Sequence, residues 1–547
     1  MRKLVGLLLL LAAPALAQRE ALTIGITQYP ATFHPSIERM AAKSYILGMA
    51  IRPVTVHGHD WKTACRMCLE LPTLENGLAV LQPGADGQQG VRVTYTWPDW
   101  WAWGDGTPVT ADDLVFAYQA GREPLSGIGG AEFYRRLTKV EVDGPRRITL
   151  HFDRVTFDFA QVTDFVPLPA HLERAIWQAD PRGWRTRTGY DTATTNPGLW
   201  NGPYRIGAVA PGSSVTLERN PRWGGPAPQF SRITVRTVEN TTALEAQLLA
   251  GQVDMIAGEL GLALDQALAL EKRAGARFAF HYQPGLVYEH IDLNLENPIL
   301  ADVRVRRALL HAADRKQISD RLFEGRQPVA RSFVNPLDWV HDEATPETPF
   351  DPARARALLD EAGWTPGPDG IRRNAEGARL VLDFMTTAGN RSREVVQQVL
   401  QSQWRAVGIE VRIRNEPPRV FFGETLSRRR YGGMAMFAWI SSPENVPRTI
   451  LHSDEITREE RNWSGQNYTA FRNAEMDALI EALPYELDRE KRAALWRRVQ
   501  AIYATELPVL PLYFRSDAHI WPRWLSGVRP TGHLNPSTLW VEEWRGR

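Results

Sequence analysis

Trp101-Ala102-Trp103-Gly104-Asp105-Gly106-Thr107-Pro108-Val109-Thr110-Ala111-Asp112-Asp113-Leu114-Val115-Phe116 joins a glycine-rich turn to a helix start. Its second half is a capping box: Thr110 can accept a backbone N–H, Asp113 can return the bond, and the apolar Leu114-Val115-Phe116 follows, so a helix starts here. Strand patterns flank it. Upstream, Val91, Val93, Tyr95 and Trp97 alternate with polar or small residues, as do Leu22, Ile24 and Ile26 near the start. Downstream, Val140-Glu141-Val142, the turn Asp143-Gly144-Pro145, and Ile148, Leu150 and Phe152 predict a β-hairpin. Helix and strand signals therefore alternate, which favours α/β layers containing some antiparallel pairs.

The pattern continues to the C-terminal side. Asp351 before Pro352 predicts a helix whose Ala355, Leu358, Leu359 and Ala362 share one face and which Gly363 closes. Val305, Ala308, Leu309 and Ala312 repeat that spacing after Asp302. Two helix–strand units recur: Leu244 to Gly251 before Val253-Asp254-Met255-Ile256, and Val396 to Gly408 before Ile409-Glu410-Val411-Arg412-Ile413. In each, glycine is the left-handed cap that turns the chain back into a sheet.

The 547 residues suffice for several domains, and 64 basic against 63 acidic side chains argue against a nucleic-acid partner, which would need a basic face. Arg2 and Lys3, an apolar run from Leu4 and the small-residue Ala15-Leu16-Ala17 predict a signal peptide over residues 1–17. That run is shorter than the roughly 20 residues that span a bilayer. A soluble periplasmic protein beginning near Gln18 is expected. Gln18, not a cysteine, stands directly after the cleavage point, so no lipid anchor is expected. The two cysteines, Cys65 and Cys68, are compatible with a short-loop disulfide or packed thiols in an exported chain.

Several segments together resemble the family 5 extracellular solute-binding proteins, the peptide-binding class that serves ATP-driven importers. Tyr29-Pro30-Ala31-Thr32-Phe33-His34-Pro35 after the first strand is similar to the family's opening loop, and Trp101 to Phe116 to its Trp-x-Asp-Gly-x-Pro motif and following helix. Asn201-Gly202-Pro203-Tyr204, Asp302-Val303-Arg304-Val305-Arg306-Arg307-Ala308-Leu309 and Leu507-Pro508-Val509-Leu510-Pro511-Leu512-Tyr513 continue the likeness in the family's order. The resemblance implies an α/β, two-lobe periplasmic binding protein of type II, in the large class with an additional inserted domain, and a hinge of two crossing segments. Lobe I is expected at 18–50, 200–287 and 512–547, the inserted domain at 51–199 and lobe II at 288–511.

The same resemblance implies a substrate-binding component of an ABC transporter that delivers a peptide-like solute to a membrane permease and has neither enzymatic activity nor a cofactor; a monomer is expected, since it suits a shuttle whose two lobes must dock on a membrane complex. Ligand contacts are expected from Glu38, Arg39 and Met40 in the first-lobe loop and from Tyr288 and His290 before the crossing Asn294. Further contacts are expected from Trp439, Ser441 and Ser442 at the end of Met434-Ala435-Met436-Phe437-Ala438-Trp439, and from Asn467 and Tyr468. Family members that grip a peptide's free amino terminus carry an Asp a few residues beyond that Trp. Here Ser442 stands in its place, and a hydroxyl cannot neutralise a buried ammonium. Glu444 and Glu38 are the nearby candidate replacements. Trp97, Trp100, Trp101 and Trp103 are expected to be structural.

Other readings leave weaker marks. No His-Glu-x-x-His, Gly-x-Ser-x-Gly or Gly-x-x-x-x-Gly-Lys pattern supports an exported hydrolase. Stacking tryptophans with Ser442 would suit an oligosaccharide, and some relatives carry metal chelates. His57 and His59, separated by one residue, form no ligand cluster, so no metal site is expected.

Overall fold

The capping-box helix spans Ala111–Arg122, and the Thr110 N–H donates to Asp113 Oδ2 at 2.9 Å. That carboxylate does more than cap. Oδ2 also accepts from the Trp103 indole at 3.2 Å, and Oδ1 from the Ala170 N–H at 2.9 Å. Burial pushes the Asp113 carboxyl up to about 6 against the pull of these donors. Gly106 makes the preceding turn at φ +97, and Trp97, Trp101 and Trp103 are buried as expected. Trp100 is 38% exposed and lies edge-on to Trp223 at 5.2 Å.

This computed structural model describes residues 19–546 except Arg39, Ala85, Asp86, Asp164 and Asn462. The signal peptide expected over residues 1–17 lies outside the described residues. Among the described residues no helix is long and apolar enough to cross a membrane.

A four-stranded antiparallel sheet surrounds the motif, in the order Ala79–Pro83, Gln89–Thr96, Arg147–Phe152, Leu137–Val142. Its last two strands are the predicted hairpin, turning at Gly144. Cys65 and Cys68 form a disulfide beside it.

The main sheet has ten strands. From one edge they are Glu410–Ile413, Val381–Thr386, Met434–Ile440, Phe278–Leu293, Val509–Pro522, Met255–Ile256, Ala21–Ile26, Arg232–Thr237, Ser214–Arg219 and Tyr204–Ala210. Each end contains a parallel trio. Ala21–Ile26 runs parallel to both its neighbours, as does Val381–Thr386. The helices that feed these trios, Thr241–Leu249 and Arg391–Arg405, are followed by Gly251 at φ +74 and Gly408 at φ +92, the turns the sequence predicted.

Phe278–Leu293 and Val509–Pro522 join the two ends as one long antiparallel pair. Their ladder is interrupted between Pro284 and Tyr288 and again between Glu289 and His290. Pro284 has no N–H to give to a ladder, which suits the interruption. On one side of it Phe278, Ala518 and Ile520 pack with Leu244 and Leu248; on the other, Ile291, Leu510 and Leu512 pack with Leu309 and Trp404. Separate hydrophobic cores thus meet where the crossing strands are least tied together.

Candidate functional site

Strand Met434–Ile440 passes from a buried start at Met434–Phe437 to a half-buried Trp439 and an exposed Ile440. Its antiparallel register opposes Tyr288 to Trp439 and His290 to Phe437, so these side chains share one face. An aromatic ladder results. Trp439 stacks on Tyr468 with ring centroids 5.9 Å apart and lies parallel to His290 at 6.3 Å. His290 in turn stacks on Tyr288 at 5.1 Å, and the Tyr288 hydroxyl meets the Tyr503 hydroxyl at 2.9 Å. Burial holds the Tyr288 hydroxyl well above the usual phenol range, hence neutral.

A pocket opens against this ladder, lined by Tyr288, His290, Asp292, Trp439 and Gln466 among others. On its wall His290 Nδ1 is 3.2 Å from the Tyr288 carbonyl, an acceptor only, so Nδ1 carries a proton. His290 Nε2 lies 3.2 Å from Asp292 Oδ1. Burial pushes the Asp292 carboxyl up, and the bond to His290 opposes it.

A second pocket lies between Trp61 of the inserted segment and Asp338, Ser441, Ser442 and Asn445. Phe333 and Phe514 give it apolar walls. The same two parts of the chain touch directly: the Phe157 N–H donates to the Pro484 carbonyl at 2.9 Å, and the Arg492 guanidinium lies 4.8 Å over the Phe157 ring.

Of the residues singled out from sequence, Tyr288, His290, Trp439 and Tyr468 come together in the ladder, and Ser441 and Ser442 line the Trp61 cavity. Asn467 is a correction. Its Oδ1 accepts from the Thr469 hydroxyl and the Phe471 N–H, while Nδ2 donates to the His452 and Phe471 carbonyls. Fully buried and with its hydrogen-bonding capacity spent, it holds the loop and has none left for a ligand.

Glu38 and Met40 line neither cavity. Glu38 pairs with Arg185 at 2.9 Å on the surface, and Met40 precedes helix Ala41–Ala50, its sulfur 3.3 Å from the Ala31 N–H. Arg39 lies outside the described residues. Glu444 does turn inward, at φ +51, but its carboxylate is taken by Arg492 and by the Trp339 indole at 2.9 Å. It offers no free charge to a ligand. His57 and His59 pack against His533 and Trp540 respectively.

Asp338, Trp61 and Gln466 were missed from sequence. Asp338 sits in Asn335-Pro336-Leu337-Asp338, a turn-rich run with no periodic signal, and only the fold brings it to Ser442. Burial pushes its carboxyl up to about 6, against backbone N–H donors that include Glu444.

Comparison with known proteins gives a consistent result. Residues 94–457 match the profile of the bacterial extracellular solute-binding proteins, family 5. The chain is 27% identical over 451 residues to the oligopeptide-binding protein AppA of Bacillus subtilis, covering 80% of this chain and 78% of that protein. It is 24% identical to the oligopeptide-binding protein OppA of the same organism, covering 93% and 90%. The crystal structure of an oligopeptide-binding protein from Thermus thermophilus with a pentapeptide superposes with a TM-score of 0.67 at 27% identity, covering 96% of each chain.

Proposed function

The chain belongs to the family 5 bacterial extracellular solute-binding proteins, and on that premise we propose that it captures short peptides between two lobes and delivers them to the permease of an ATP-driven importer. The observation that carries this reading is the cavity walled on one side by Trp61 and on the other by Asp338 and Ser442. A ligand that touches both walls favours the shut arrangement by its differential affinity for it. The relatives named above are oligopeptide binders by name, which supports that cargo class.

In this reading the lobes are 18–50 with 200–287 and 512–547, and 288–511, with 51–199 inserted in the first. The protein works in the periplasm as a monomer, free of catalytic activity. Trp439 and Tyr468 supply flat surfaces for ligand side chains or peptide planes, and the His290–Asp292 pair polar contacts beneath them. The ladder interruption at Pro284–Tyr288 serves as the flexing point.

The reading is tested by small-angle X-ray scattering of the mature protein with and without a pool of mixed peptides of three to six residues. Ligand-dependent compaction, saturating with the pool and absent with a matched oligosaccharide pool, is the expected result. An unchanged radius of gyration with peptides and a decrease with sugars would overturn the cargo.

A further inference from the structure

Asp338 is 7% exposed, yet among the described residues no Lys, Arg or His nitrogen lies within 4.0 Å of its carboxylate. The guanidinium nearby, Arg492, is committed to Glu444. Several other deeply buried carboxylates in this chain are better satisfied. Glu289 has Arg393 and Arg515, and Glu542 has Arg52 and Arg66. Glu173 and Asp113 have no cation but accept three hydrogen bonds each. Asp338 accepts two, from the Glu444 N–H at 2.6 Å and the Val340 N–H at 3.4 Å, the second a long one. It therefore keeps unspent acceptor capacity, and it lines the cavity that Ser441, Ser442 and Trp61 also line.

We propose that Asp338 is the anionic contact for a protonated primary amine of the ligand, seated between Trp61 and Ser442. The inference rests on the reading that peptides occupy this cavity. A carboxylate with low exposure and no cation is costly unless a counter-charge arrives, and a ligand ammonium supplies it. The Ser442 hydroxyl offers a second acceptor, and the Trp61 ring is a flat face of the kind that attracts cations. A compact ammonium suits the site better than a guanidinium. Each Asp338 oxygen already receives one backbone N–H, which obstructs the two-oxygen edge a planar fork requires. The charge that Ser442 lacks is thus brought to the same cavity from a different loop.

The amine can come from a peptide's amino terminus or from a lysine side chain, and titration calorimetry distinguishes them. The probes are alanine peptides of three to five residues with a free amino terminus, the same peptides N-acetylated, and N-acetylated peptides carrying one lysine. Wild-type protein is expected to bind at least one amine-bearing set about 30-fold or more tightly than the acetylated lysine-free set. Asp338→Asn is expected to erase that preference while leaving the acetylated lysine-free peptides unaffected. Tight binding of free-terminus peptides identifies the terminus as the source; tight binding of the lysine peptides identifies the side chain. Equal affinity of wild type for amine-bearing and amine-free peptides overturns the proposal without any variant and leaves the peptide reading standing. Retention of the preference in a folded Asp338→Asn variant overturns it as well. No binding of any peptide by wild type would overturn the peptide reading itself, and the proposal with it.

Discussion

Replacing Glu289 with alanine is expected to cost about 3–5 kcal/mol of folding stability, measured by denaturant unfolding. Glu289 is fully buried on the crossing strand Phe278–Leu293, next to the interruption of its ladder and on the face opposite Tyr288 and His290. Its carboxylate takes Arg393 through Nε at 3.1 Å and Nη2 at 3.1 Å, and also Arg515 from the second crossing strand. Arg393 belongs to helix Arg391–Arg405 and is 8% exposed. Removing the carboxylate leaves a guanidinium out of water with only the Thr387 hydroxyl, 3.2 Å away, as a remaining side-chain partner. The large loss comes from that stranded charge more than from the worth of the pair. Glu289→Gln keeps an acceptor and is expected to lose less. A loss below about 1 kcal/mol for the alanine variant would mean that Arg393 reaches water and that this junction is open in solution.

Trp439→Ala is expected to weaken peptide binding about 30-fold or more while lowering stability by only about 1–2 kcal/mol. The ring is half-buried at the end of its strand, where Tyr468 and His290 contact its faces and Phe437 its edge at 5.2 Å. Folding therefore gains only part of what a fully buried Trp would give. It also lines the cavity beside the His290–Asp292 pair, where its loss would both remove a stacking surface and release Tyr468. Calorimetric titration beside thermal unfolding separates the two effects. Unchanged affinity with a lowered unfolding midpoint would show that Trp439 serves packing alone.

The difference between what sequence conveyed and what it withheld is physical. The capping box, the Asp351-Pro352 start and the glycine-ended helices were legible because each is a local rule, satisfied within a few residues. The Met434–Trp439 strand was legible as a buried run, and its register then placed Tyr288 and His290 beside it. Asn467 misled because an amide in a polar stretch serves a ligand and a loop equally well, and only its four partners decide. Asp338 was hidden for the converse reason. Its importance comes from burial without a cation and from the approach of a loop about a hundred positions away, neither of which leaves a mark in the nearby residues. Glu444 was identified as a carboxylate that would replace the missing charge if it turned inward; it does turn inward, toward Arg492.

Peptide capture is tested by native mass spectrometry of the mature protein purified from a periplasmic extract, with release and sequencing of whatever mass it carries. A ladder of peptide masses is the expected result. A single sugar or metal-chelate mass, with no peptide among the released species, would contradict it.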